Sequence, residues 1–385
     1  MAMLTKLFKN NIRQYGMIIA LVLISVLFQI LSGGTLLKPL NVTNLILQNS
    51  YILVLAIGML LVIITGNIDL SVGSVAAFVG AISGVLMVSQ KIPFLPSVLI
   101  CLLIGAAVGA WQGFWVAYVR IPAFIVTLAG MLLFRGLTMI VLKGMSLAPY
   151  PKTFQKMSSG FIHDPFGGNV HLLTLLIGAV LSVLYIYMEM RSRRSKLRYK
   201  FDVLPPAWFA VQMILVVLVI NLFTWVLAQY NGIPNILILL AALVAVYSFV
   251  MNKTVMGRHI YALGGNEKAA KLSGVKTKSV TFWVFVNMGV LAAMSGLVFA
   301  ARLNAATPKA GTNFELDAIA ACFIGGASAT GGVGTVLGAI IGGLVMGVMN
   351  NGMSLVGLGI DWQQGIKGLV LLFAVGFDIY NKSKA

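Results

Sequence analysis

Only 9% of this 385-residue sequence is charged, so the few polar side chains set among apolar runs are the ones that could do chemistry. Asp69 is the clearest. It lies in Gly66-Asn67-Ile68-Asp69-Leu70-Ser71-Val72-Gly73-Ser74, between two long apolar stretches. A carboxylate at membrane depth costs roughly 2.5–3.5 kcal/mol on insertion scales unless it is satisfied. Backbone N–H groups at the start of a following helix would satisfy it, with Ser71 and Ser74 close by in sequence. Asp69 thus reads first as the fixing point of a broken-helix turn, with substrate contact and proton coupling as sharper alternatives. Arg135 must face protein or water, since lipid exposure is too costly for an arginine within a span. Lys367 reads as snorkelling toward an interface on its long stem.

A second polar stretch runs from Gly257 to Val275 and predicts one short helix with its own punctuation. Asn266 suits an N-cap, Glu267 complements the positive helix start, and Gly274 suits a left-handed stop. About two turns of helix do not hold in isolation, so the rest of the chain or a partner must support them. Ala269 and Ala270 leave part of its surface small enough for close docking. On physical grounds alone it reads first as an ordinary loop helix resting on lipid headgroups, which its lysines fit. Soluble catalytic apparatus is missing from the sequence. No G-x-x-x-x-G-K-Ser/Thr phosphate loop occurs, and His163, His171 and His259 lack ligand spacing or a nucleophile partner. Cys101 and Cys322 both lie in apolar runs and read as small buried residues rather than a disulfide or metal site.

The elements that must position these groups are apolar helices. Hydrophobic residues make up 59% of the chain, more than a water-soluble core can bury, so lipid is the solvent. The net charge of +18 is gathered in short segments between apolar runs: Lys6 to Arg13, Arg191 to Lys200, Lys253 to Lys278, and Lys382 with Lys384. That is the positive-inside pattern, not the aromatic-laced stripe of a nucleic-acid binder. The first apolar run lacks a clear cleavage site and reads as an uncleaved helix. Counting runs of roughly 20 apolar residues predicts an all-α polytopic membrane protein with about twelve segments and both termini cytoplasmic. The run at 317–329 is too short to span alone; the even count is preferred because it places every basic segment on one side. Two Gly/Ser/Thr interruptions, near 64–80 and 324–343, point to an internal repeat around a central pathway. Glycines near four-residue spacing, Gly105, Gly109 and Gly113 and again Gly334, Gly338, Gly342 and Gly347, predict close helix packing.

The polar stretch resembles the coupling helix of bacterial ATP-binding-cassette importer permeases, whose E-x-A-A-x-x-x-G core docks onto the ATPase. Glu267, Ala269, Ala270 and Gly274 match that core, and Gly257, Arg258, Gly265 and Asn266 resemble the ribose/xylose-type sugar branch. The same branch carries a G-G-x-D-L-S-V-G-S turn, here with Asn67 in place of the second glycine. Ile121 to Leu128 followed by Arg135-Gly136, Gly232-Ile233-Pro234, and the Gly325 to Gly338 segment also fit. Trp111-Gln112-Gly113 departs from the usual Asn-Gly pair, which weakens inference about that helix. Residues 155–229 lack a counterpart in the shorter ribose-type members and look like the longer xylose or multiple-monosaccharide permeases.

The resemblance implies a ten-helix core of the vitamin B12/siderophore-like type plus an inserted hairpin. It implies a permease domain over 16–380, short cytoplasmic flanks at 1–15 and 381–385, and a cytoplasmic coupling loop over 252–279. A second permease copy, a cytoplasmic ATPase and an extracytoplasmic sugar-binding protein are the implied partners, in the bacterial inner membrane. ATP and magnesium belong to the ATPase, and no cofactor is expected on this chain. Asn67, Asp69, Ser71, Ser74, Gln112, Arg135 and Thr330 are the broken-helix and pathway candidates. Competing readings are an ion-coupled secondary transporter, for which Asp69 is the one good coupling group, and an importer for a nucleoside or branched-chain amino acid.

Overall fold

The computed structural model describes residues 12–168 and 170–383, which fold into fifteen α-helices. The first group comprises α1 (Ile12–Leu31), α2 (Pro39–Ile64), α3 (Val72–Gly84), α4 (Phe94–Phe114) and α5 (Ala123–Leu142). A short α6 (Lys152–Ser159) leads to the long pair α7 (Leu172–Arg198) and α8 (Pro206–Ala228). Next come α9 (Asn235–Lys253), α10 (Val255–Gly265), α11 (Glu267–Leu272) and α12 (Thr277–Leu303). The chain closes with α13 (Phe314–Ile324), α14 (Val336–Leu355) and α15 (Ile360–Ser383). The basic flanks expected at Lys6, Lys9 and Lys384 lie outside the described residues.

Helix α2 is apolar all round, and such a helix must be enclosed by others. Ile52, Leu55, Ile57, Met59, Leu60 and Ile63 are fully buried, so α2 forms the centre of the bundle. Pro39 starts it with a preset φ, and Gly66 at φ +77° ends it. Around it, α4 and α12 press together through small residues. A side chain at Gly105 would strike Ala293 and the Gly289 carbonyl, and one at Gly109 would strike the Phe285 carbonyl. Gly325 and Gly338 make the equivalent approach between the end of α13 and α14. Between membrane helices the attraction is close van der Waals contact, which small residues permit. Cys101 and Cys322 are buried free thiols within this packing.

By contrast α7 and α8 are largely exposed along their length. They pair through Gly178 against Thr224 and through a 2.8 Å hydrogen bond from Asn221 to Ser182. Residues 199–205 join them into a hairpin of two helices.

Among the described residues nine helices are long and apolar enough to cross a membrane, fewer than the twelve runs predicted. The other three runs fall on α1, α13 and α15. In α1 the apolar part covers Gly16–Leu31, and α15 carries Asp361 and Lys367. Helix α13 begins earlier than its apolar run and has 11 residues. That is about 16 Å, half of a hydrocarbon core of about 30 Å. The preceding irregular segment supplies the other half. Ala306 pairs with Leu147 at one end of the bundle, whereas Gly332 just beyond α13 bonds Ile64 at the other. Residues 304–324 therefore traverse the bundle as a half-length helix fed by a non-helical strap. Such backbone is tolerated at membrane depth only when protein covers it.

Candidate transport site and coupling loop

The site is built from two interrupted helices. Beyond α2 the chain turns back into the bundle, and α3 starts at Val72. Asp69, 2% exposed, accepts hydrogen bonds at Oδ1 from the Ser71 N–H at 2.8 Å and the Ser71 hydroxyl at 2.6 Å. Gln112 on α4 donates to Ser71 Oγ at 2.7 Å. The Asp69 turn is thus tied to a neighbouring helix through one hydroxyl, and Gln112 has a definite task there. Gly130 on α5 gives the Gln112 amide its space. Thr127 on α5 reaches the Ile68 carbonyl at 3.4 Å, and Asn67 folds back on Thr65 at 3.1 Å. Ser74, the third residue of α3, is buried and makes no hydrogen bond to Asp69 or to any other described residue. Thr330 lies exposed in the turn between α13 and α14, facing Ser328 at 3.3 Å.

The half-length helix that leads into the second interruption brings charges that hydropathy hides. Helix α13 opens with Glu315 and Asp317 in its first turn, both buried. Acidic residues favour a helix start, so Phe314-Glu315-Leu316-Asp317 reads as helix on that ground and as loop on hydropathy. Asp69 is therefore not the only ionisable group suited to the interior. Lys367 does not snorkel outward. Its Nζ meets Asp317 Oδ1 at 3.1 Å, because an unpaired buried carboxylate costs more than turning a lysine inward. Arg135 on α5 donates from Nη1 to the Ala310 carbonyl at 2.6 Å, in the strap before α13. Gly311, at φ +72°, abuts the Gly73 backbone, so the starts of α3 and α13 meet inside the bundle.

The loop expected to hold one short helix holds two. Thr254 Oγ1 caps α10 by accepting from the Gly257 N–H at 3.3 Å. Asn266 Oδ1 caps α11 by accepting from the Ala269 N–H at 3.0 Å, and Gly274 ends the segment at φ +86°. Ala270 is buried against the bundle, while Arg258, Glu267, Lys268, Ala269 and Lys271 are exposed. Leu272 projects with 90% of its surface free.

Helix α10 also touches both interruptions at once. The Gly332 N–H donates to the Ile64 carbonyl at 2.9 Å, and Gly264 packs on that bond so closely that a side chain there would collide with Ile64 O. Tyr261 Oη donates to the Gly334 carbonyl at 2.7 Å. A side chain at Gly265, by comparison, would meet open space, although the Gly265 backbone packs beside Gly332. Between this loop and the α2 break lies a polar cavity of about 300 Å³ whose lining includes Thr65, Asn67, Arg120, Glu267, Lys278 and Thr281.

A lipid-embedded bundle with two broken helices, joined at one end by an exposed two-helix loop, defines the membrane subunit of a transporter. Residues 41–375 match the family described as the branched-chain amino acid transport system permease component, and this chain belongs to that family. As a permease component it is a transport subunit, not an enzyme. The chain is 38% identical to the xylose transport system permease protein XylH of Haemophilus influenzae, over 98% of this chain and 99% of that one. Its identity to the Escherichia coli XylH is 36%, covering 97% and 94% of the two chains. The ribose import permease protein RbsC of Escherichia coli is 34% identical over 88% of this chain and 85% of its own length. No solved structure gave a significant match.

Proposed function

We propose that this chain is the membrane-spanning subunit of an ATP-driven importer of monosaccharides, with a pentose of the xylose type as the first substrate to test. The observation that carries this reading is the near full-length likeness to a xylose permease, which covers the 155–229 hairpin as well as the core. The exposed surface of α10 and α11, with Leu272 as its projecting apolar residue, is the docking face for a separate ATPase. Two copies of the permease form the pathway, and an extracytoplasmic receptor delivers the sugar. ATP and magnesium sit on the ATPase. The protein belongs in the bacterial inner membrane with α10, α11 and both termini on the cytoplasmic side.

In this mechanism the ATPase moves the α10–α11 loop, and the loop moves the helix breaks. Gly264 packed on Ile64 and the 2.9 Å bond from Gly332 to Ile64 transmit the motion through backbone, and the Tyr261 side chain adds a 2.7 Å bond to the Gly334 carbonyl. Reconstitution with the cognate ATPase and receptor tests the proposal. Uptake should require ATP and resist ionophores, and Glu267→Arg should abolish it in a folded permease. Wild-type uptake by that variant would exclude the docking role.

A further inference from the structure

The place where the starts of α3 and α13 meet holds a group that the coupling mechanism does not use. Glu315 is 8% exposed, and its Oε2 has no hydrogen-bond partner. A buried carboxylate oxygen left bare is rare in native proteins and expensive at membrane depth. The other two carboxylates nearby are already answered. Asp69 accepts from Ser71, and Asp317 is paired with Lys367 at 3.1 Å. The charges acting on Glu315 are those of Arg135, Asp317 and Asp69.

Arg135 lies close enough to act on Glu315 electrostatically, yet among the described residues the two form no ion pair. Its Nη1 is committed to the Ala310 carbonyl, and a guanidinium has five N–H donors in all. A free acceptor and a donor-rich cation thus approach without touching. Glycine backbone packs closely against Glu315. Glu315 Oε2 rests where any side chain at Gly73 would stand, and Gly311 takes a left-handed φ of +72° to abut Gly73. Leu316, next to Glu315 in sequence, and Thr312, three residues before it, are exposed on the single chain, so Glu315 lies beside an accessible face.

We propose that Glu315 is a sugar-contacting residue of the transport pathway, its free Oε2 accepting hydroxyl hydrogens of the passing monosaccharide while Arg135 donates from the facing side. Groups of both signs at one place suit a neutral ligand rich in donors and acceptors, which is the chemistry of a monosaccharide. A carboxylate takes two neighbouring hydroxyls and a guanidinium serves ring or hydroxyl oxygens. The assignment deepens the function proposed above and rests on it.

The test uses the permease with its ATPase and sugar-loaded receptor in proteoliposomes. Wild type is measured first; if it moves no monosaccharide, the functional reading fails before any variant is compared, and this proposal with it. Given wild-type uptake, Glu315→Gln should lower import roughly tenfold or more, the worth of one charge-assisted hydrogen bond. It should keep the ATP hydrolysis that loaded receptor stimulates, and Glu315→Asp should recover part of the import. Wild-type import by Glu315→Gln, or loss of import and stimulated hydrolysis together, overturns the proposal. Should neither variant fold, labelling of Glu315→Cys by a small thiosulfonate decides. Protection by the sugar supports the contact and unchanged labelling refutes it. A requirement for sodium that Glu315→Gln removes would replace the sugar contact with a cation site.

Discussion

At the scale of single residues, buried polar groups here are tied in short chains whose members differ in what they contribute. Asp317 and Lys367 form the pair most exposed to test, since each is costly without the other. Asp317→Ala should destabilise the permease by about 1–3 kcal/mol, read as a lowered thermal midpoint in detergent. Replacing both residues with leucine should restore most of that loss. Gln112 makes a narrower prediction. Gln112→Asn is too short to reach Ser71 Oγ across the observed 2.7 Å bond, so the Asp69 turn loses its tie to α4. Slower import with unchanged ATPase docking is the expected result. Asp69→Ala removes the turn's acceptor altogether and should cost both assembly and transport; wild-type behaviour would exclude a fixing role.

At the scale of elements, the coupling loop and the outer loops are held by local capping, and each gives its own prediction. Gly264→Ala places a methyl group against the Ile64 carbonyl and must push α10 off the two helix breaks. Overpacking of this kind costs roughly 1–3 kcal/mol, and it should raise the number of ATP molecules hydrolysed per sugar imported. At the far end of the bundle, Asp164 organises the loop before α7. It accepts from the Leu172 N–H at 2.7 Å and the Phe166 N–H at 3.1 Å, while His171 caps the helix. Desolvation works to raise its carboxyl, but the N–H groups it accepts from outweigh it and hold the carboxyl below the usual carboxylate range. A folded value below the unfolded one stabilises the loop above the unfolded value, and that contribution is lost as pH falls through the folded value. Protection against hydrogen exchange in residues 164–168 and 170–174, taken relative to the intrinsic rate at each pH, should therefore fall in acid, and Asp164→Asn should flatten that dependence.

At the scale of the whole molecule, one end of the bundle gathers the exposed two-helix loop, the polar cavity and both helix breaks. A force applied there meets the interrupted helices first. Leu272→Asp leaves the bundle's interior untouched, since that side chain is 90% free, and should abolish ATP-driven import by weakening ATPase association in a pull-down. Normal association would place the docking face elsewhere on the loop.

The sequence by itself determined the helical membrane class, the helix break at Asp69, the caps at Asn266 and Gly274, and the glycine faces. Each of these is a local matter of propensity, capping chemistry or spacing, and each is read within a few residues. Only the tertiary structure decided that Lys367 turns inward, that the 317–329 run is completed by a non-helical strap, and that Glu315 sits buried and bare. It also decided that Gly264 of α10 rests on Ile64 and Gly332, residues some 200 and 68 positions away in the chain. Contacts between distant segments carry no local signature. Hydropathy assigns a charged residue to the surface by default, and only the neighbours that packing supplies can overrule it.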